Sequence, residues 1–165
     1  MANPLRRLAL AAVCLAAGTG CGPAATVPRS HPVITVRQVF FDPQDLFTPD
    51  SRAVLARPAD VTSYLRWLRA GPVPGRASER LVTALQQYRF DDSVLVVVAR
   101  TVGCDSIGRV ELARAGADLS VATFDVRHHP ECLRANHLVA VYALPRSAVP
   151  AGSTIDGAPP DTRWR

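Results

Sequence analysis

Hydrophobic and polar positions divide the chain into an early strand region, a two-helix region and a longer second strand region. The stretch "VITVRQVFF" at residues 33–41 is rich in β-branched and aromatic residues. It predicts a first strand, which ends at the polar "DPQD" that follows. Residues 52–57 predict a short second strand.

Between residues 60 and 88 the apolar period changes to that of a helix. One helix is predicted from Asp60 to Ala70, with Asp60 as its N-cap and Gly71 and Pro72 as its stop. A second is predicted from Ser78 to Tyr88, with Ser78 as its cap. The apolar stripe of the first comprises Val61, Tyr64, Leu65 and Leu68, and that of the second Leu81, Val82, Leu85 and Tyr88.

The second strand region begins with "SVLVVVAR", residues 93–100. Its apolar positions are consecutive, so both faces are expected to be covered, as in a central strand. Three further strands are predicted at residues 109–115, 118–127 and 137–145, as an antiparallel meander with the central strand. The predicted fold class is α+β: an antiparallel sheet of about four to six strands, with two helices inserted before the central strand. A β-sandwich with helical decoration is the alternative.

The first 20 residues have the three parts of a bacterial export signal. A basic start, Met1 to Arg7, precedes ten apolar residues, Leu8 to Ala17, and then the small residues Gly18, Thr19 and Gly20. The apolar run is shorter than the roughly 20 residues that cross a bilayer. Residues 1–20 are therefore predicted to be a signal peptide, and Cys14 is expected to be removed with it.

Cys21, between small residues and Gly22, resembles the lipobox of bacterial lipoproteins, in which diacylglycerol is attached to the cysteine thiol. Gly18 departs from that motif, which usually has an aliphatic residue at this position. The resemblance implies a protein anchored by a lipid on Cys21 to the outer face of the cytoplasmic membrane. The alternative is a secreted, soluble protein cut after Gly18 or Ala24.

Composition favours one globular domain without a nucleic-acid partner. The predicted units are a Pro- and Ala-rich tether at 21–32, a globular domain at 33–152 and a tail at 153–165, which is either loose or forms one short edge strand. All 19 basic residues are arginine, which is typical of a GC-rich bacterial genome, and the formal net charge is +5. The arginines are scattered singly, whereas a nucleic-acid interface needs a basic stripe.

Cys104 and Cys132 are predicted to form a disulfide. An exported protein meets oxidising surroundings, in which disulfides persist. The central strand ends just before Cys104, and the predicted strand pair 109–115 and 118–127 returns the chain to the same end before Cys132. The topology therefore brings the two cysteines together.

The sequence "DVRHHPEC" suggests a second kind of site. The candidate ligands are His128, His129 and Cys132, with Cys104, Asp105 and His137 as neighbours. Three residues separate His128 from Cys132, which would allow both to bind one zinc or copper ion. A disulfide would use the thiolates, so no metal or cofactor is predicted. A carrier that binds a metal or ligand through the His128–His129 loop is the alternative function. Neither a G-x-S-x-G nor a Ser-x-x-Lys motif is present, and an enzyme is not expected.

The order of several segments resembles the PrcB-like family, small and often lipid-anchored envelope domains named after an accessory subunit of a surface protease complex. The segments are "YLRWL", "YRFDDSVLVVVA", "TVGCDSIGRVEL", "LSVATFDV" and "VAVYALPRSAVP". The layout is also similar to cysteine-bearing actinobacterial lipoproteins. At residues 101–104 the chain departs from the Thr-Gly-Gly-Tyr-like turn of that family. The resemblance implies a non-catalytic α+β domain that binds or stabilises an envelope protein.

Overall fold

The computed structural model describes residues 36–45, 48–71, 78–131, 133 and 135–165. The predicted signal peptide, Cys14, Cys21 and the predicted tether lie outside these residues. The described elements are β1 (Arg37–Asp45), β2 (Ser51–Leu55), α1 (Pro58–Arg69), α2 (Glu79–Gln86), β3 (Ser93–Gly103), β4 (Asp105–Ala115), β5 (Asp118–His128), β6 (Asn136–Pro145), a 3₁₀ turn (Arg146–Ala148) and β7 (Thr154–Ile155).

The strands form two sheets. The first has the order β1-β6-β3-β2 and is antiparallel throughout, and the second has the order β4-β5-β7, in which only β7 runs parallel to its neighbour. The predicted α+β class, with two helices before the central strand β3, is confirmed. The pair β4 and β5 lies in its own sheet, an arrangement close to the alternative sandwich prediction.

Two hydrophobic layers explain this division. In β3 every residue from Val94 to Ala99 is buried, and β6 is similarly apolar. One face of these strands packs against α1 and α2, and the other packs against β4, β5 and β7. Since β4 and β5 each have one apolar face, they cover the first sheet as a second layer instead of extending its edge.

The start of α1 differs from the prediction. The N-cap is Arg57 and not Asp60, because Pro58 is favoured in the first helical turn, where a missing N–H costs nothing. Asp60 lies in that turn, and its carboxylate accepts hydrogen bonds from the backbone N of Ala56 at 2.8 Å and from Arg57 Nε at 3.2 Å. Ser78 is the N-cap of α2, as predicted.

Residues 153–165 are packed on the domain and do not form a loose tail. Ile155 in β7 is fully buried, which agrees with the alternative of one short edge strand. Asp161 then exchanges hydrogen bonds with Arg52 on the outer edge of β2, at 2.7 and 2.8 Å. Trp164 is 4% exposed and contacts Tyr64 edge-to-face. The buried apolar side chains near both ends hold this segment on the domain, although its prolines and glycines are typical of a loose tail.

A polar contact joins the two sheets beside the second core layer. Arg100 of β3 donates to the Asp156 carboxylate at 3.3 Å and to the Val121 carbonyl at 3.2 Å. Nearby, the Tyr142 hydroxyl is buried and has no hydrogen-bond partner among the described residues. Burial, with a smaller contribution from the Glu111 carboxylate, raises the pKa of Tyr142 well above its ordinary value.

The strand registers define two ends of the domain. At one end Ser93, the first residue of β3, pairs with Pro145, and β1 begins nearby with Arg37 opposite Ala143. We call this the entry end, because the chain enters the described fold here. At the other end β3 finishes with Gly103 opposite Asn136. We call this the cysteine end, because Cys104 follows directly.

Candidate functional site

The part of the β4–β5 pair nearest Cys104 is the candidate site, and we call it the distal ribbon. It comprises residues 105–109 of β4, residues 124–128 of β5 and His129, which follows β5. Ile107 is its one buried side chain, and every other residue of the distal ribbon is partly or fully exposed. This part of the second sheet therefore contributes little to the core and is accessible to a ligand or partner.

Within the distal ribbon, the side chains of β4 and β5 change faces relative to the rest of the two strands. In β4 the buried residues Val110 and Leu112 share a face, yet Ile107, three positions before Val110, is also buried. Asp125 has a left-handed φ of 55°, and a Cβ on Gly108 would lie 3.0 Å from the Asp125 Cβ. Asp125 and Gly108 thus approach closely and change which faces the following side chains occupy.

This close approach can be tested with a double-mutant cycle. We expect Gly108→Ala to destabilise the domain by about 1–3 kcal/mol, because the new methyl group meets the Asp125 Cβ. Asp125→Gly removes that Cβ and the left-handed strain, so Gly108→Ala should cost much less in the Asp125→Gly background. Urea denaturation followed by circular dichroism measures all four proteins. Additive effects of the two substitutions would contradict the assigned contact.

The two adjacent histidines have different partners. His128 Nδ1 lies 2.7 Å from Asp105 Oδ1, and His129 Nε2 lies 3.1 Å from Ser106 Oγ. His129 follows the last residue of β5, and the two imidazoles contact different side chains of β4. Among the residues that the structure describes, no three His, Cys, Asp or Glu side chains are grouped closely enough to hold a metal.

The same contacts determine what acid–base chemistry the site can perform. A Ser-His-Asp triad requires the carboxylate to orient the imidazole that faces the hydroxyl. Here Asp105 contacts His128, whereas Ser106 contacts His129. The side chains consequently form two separate pairs.

His137 lies at the cysteine end but does not join the His128 and Asp105 pair. Its Nδ1 is 3.6 Å from Asp50 Oδ1, and the same Asp50 oxygen accepts a hydrogen bond from Thr101 at 3.0 Å. Asp50 was not singled out by its sequence context, because it lies in a connection without a recognisable motif. The cysteine end thus carries a second His–Asp pair on the first sheet.

Cys104 is the single residue between β3 and β4. Its carbonyl accepts a hydrogen bond from His129 N at 3.3 Å, and the Asn136 side chain donates to the Asp105 carbonyl at 3.1 Å. The segment that contains Cys132 therefore starts and ends beside Cys104. Cys132 itself lies outside the described residues, so its pairing with Cys104 stays a prediction.

Two exposed apolar side chains complete the site. Val126 is 48% exposed and Leu133 is fully exposed, and they are the large hydrophobic residues found exposed in the described ranges. Val126 is opposite Ile107 in the strand register, so the two share a face. The sequence does not indicate Val126 as a surface residue, because an apolar residue of a predicted strand is expected to be buried.

Comparisons with protein-family models, curated proteins and solved structures found no match to this chain. The resemblance to the PrcB-like family therefore stays a prediction. Within the part of the chain that the structure describes, neither helix is long and apolar enough to cross a membrane.

Proposed function

We propose that the protein is a non-catalytic extracytoplasmic lipoprotein whose domain binds an envelope protein through the distal ribbon and Leu133. The observation that carries this proposal is the position of Val126 and Leu133. Both large exposed hydrophobic side chains of the described residues lie at the cysteine end, seven positions apart. Exposed apolar groups with a polar rim are typical of protein–protein contact sites.

The exposed residues next to these two side chains in the sequence are polar. Arg127, His128 and Glu131 are exposed beside them. An apolar centre with a charged rim matches the usual anatomy of an interface, in which the centre supplies affinity and the rim supplies orientation. Burial of one Leu or Val side chain contributes about 1.5–3 kcal/mol, which corresponds to roughly a 10- to 100-fold change in Kd.

The predicted lipid on Cys21 and the predicted Cys104–Cys132 disulfide agree with this function. A lipid anchor would hold the domain at the outer membrane surface, and a disulfide beside the distal ribbon would reduce the conformational freedom of the segment that carries Leu133. A preordered contact surface loses less entropy when it binds. Both features favour a binding domain that works in an oxidising compartment.

The proposal is tested by cross-linking followed by a binding measurement. A photoreactive amino acid at Pro130 should give a discrete cross-linked product in intact cells, from which the partner is identified by mass spectrometry. With the purified partner, Val126→Ser and Leu133→Ser should each weaken binding about 10-fold or more. Gln86→Ser, an exposed change on α2, is the matched control and should leave Kd unchanged. Equal affinities for all variants would refute the proposed surface.

A further inference from the structure

The outer edge of β4 is a long sheet edge that faces no other strand of the described residues. β4 is the first strand of the second sheet, and within the described ranges it pairs with β5 alone. Such an edge presents backbone N–H and C=O groups to another extended chain. We propose that the protein associates with a second copy of itself through this edge, with the two β4 strands antiparallel about a two-fold axis at Val110. The proposal goes beyond binding of an envelope partner and does not depend on it.

The other sheet edges in the described part of the chain are protected against such pairing. At the edge of β2, Asp161 already exchanges hydrogen bonds with Arg52. β7 is only 2 residues long. β1 contains Pro43, and its register with β6 is irregular in two places. Short strands, prolines and bulges are devices by which proteins keep sheet edges from pairing. From Arg109 to Ala115, β4 has none of them, and its register with β5 is continuous.

Two opposite charges lie in the middle of this edge, on the outer face of the sheet. Val110 and Leu112 are buried, so Arg109 and Glu111, which alternate with them, point to the opposite face. The side chains of Arg109 and Glu111 are 53% and 41% exposed and form an ion pair with each other. The Arg109 guanidinium also lies over the Phe124 ring of β5, 4.3 Å from its centre. This cation–π contact holds the Arg109 charge at the sheet surface, so less side-chain freedom is lost when a second strand pairs there.

These charges select one register for two copies of the strand. In an antiparallel pair, side chains directly opposite each other lie on the same face of the sheet. A two-fold axis at Val110 puts Arg109 of each copy opposite Glu111 of the other, so the contact contains two pairs of opposite charge. An axis at Arg109 or at Glu111 would place like charges opposite each other, which is destabilising. β4 is therefore self-complementary about Val110, and a second copy supplies the charge pattern that the edge requires.

An axis at Val110 also uses the accessible part of the edge. At the cysteine end the Asp105 carbonyl accepts a hydrogen bond from the Asn136 side chain, whereas Gly108 and Arg109 are exposed. Pairing about Val110 is centred on residues 107–113 and joins the second sheets of the two copies into one continuous sheet. Val126 and Leu133 are not part of β4, so the paired edge does not include the two exposed apolar side chains.

The test is co-purification of two differently tagged full-length copies that are produced in the same cells and extracted with detergent. Wild-type copies should be recovered together. Arg109→Glu in both copies, or Glu111→Arg in both copies, sets like charges opposite each other twice and should lower the recovery about 10-fold. One copy with Arg109→Glu and the other with Glu111→Arg has two pairs of opposite charge across the edge and should restore the recovery. This combination is decisive, because neither chain regains an ion pair within its own strand.

The matched control is Arg66→Glu in both copies. It makes the same charge change at an exposed position of α1 and should leave the recovery unchanged. Wild-type copies that do not co-purify would overturn the proposal, and so would a mixed combination recovered no better than the single variants. Loss of recovery with Leu133→Ser in both copies, together with full recovery of the charge variants, would assign self-association to the exposed apolar side chains and would equally overturn pairing through β4.

Discussion

Replacing Trp164 with alanine is expected to destabilise the domain by about 3–5 kcal/mol, the usual cost of removing a buried tryptophan side chain. Trp164 is only one residue from the end of the sequence, yet it packs into the core layer between the helices and the first sheet. Its ring contacts Tyr64 edge-to-face at a centroid distance of 6.1 Å. Because α1 cannot collapse far into the vacated space, much of the cavity should remain.

Trp164→Ala should also weaken contacts other than the core packing of the Trp164 ring. Asp161 and Arg52 exchange backbone and side-chain hydrogen bonds along the edge of β2, and Trp164 anchors the segment that holds Asp161 there. Without this anchor, the edge strand is expected to exchange its amide hydrogens sooner than β3, its central neighbour. Urea denaturation measures the global effect and hydrogen exchange the local one. Thr162→Ala is the control, since Thr162 is exposed in the same segment and should cost less than about 0.5 kcal/mol. Equal stabilities for the two variants would mean that residues 153–165 are dispensable.

The strands and helices of this fold were largely predictable because each has a clear hydrophobic period. β3 was recognised from its consecutive apolar residues, and its observed bounds, Ser93–Gly103, extend the predicted ones only at the far end. The end of α1 was recognised from Gly71, which follows the C-cap Ala70. Local signals of this kind depend on the residues within one element, so they can be read without knowing its neighbours.

Features that depend on distant contacts were not predictable in the same way. A strand with one apolar face can extend a sheet or cover another, and only the two-sided burial of β3 and β6 requires the second layer. The face reversal at Asp125 depends on Gly108, a residue 17 positions earlier. The exposure of Val126, which is opposite the buried Ile107, likewise depends on which residues of other strands cover it. The candidate site was therefore only partly predictable: its histidines and cysteines were named, but its apolar centre was not.

Removal of the predicted disulfide is expected to have the second large effect. A Cys104–Cys132 bond closes a loop of about 29 residues, which the chain-entropy model values at about 3.5 kcal/mol. The double variant Cys104→Ala, Cys132→Ala avoids a free thiol and should lose about this much stability in urea denaturation. When a reductant is added, the urea midpoint of the oxidised wild type should fall to a value similar to that of the double variant. The midpoint of the double variant should not change with reductant.

The location of the bond gives this prediction a second, local consequence. His129 and Asn136 hold the two ends of the segment next to Cys104 and Asp105 through hydrogen bonds that do not require the disulfide. The β4–β5 pair should therefore keep its strands after reduction, while the segment with Leu133 gains freedom between its two hydrogen-bonded ends. Partner binding should then weaken more than the loss of global stability explains, because the contact surface has to be ordered on binding. Two outcomes would contradict a disulfide beside the binding surface. One is alkylation of Cys104 by iodoacetamide in the native, oxidised domain, and the other is a urea midpoint that does not change when a reductant is added.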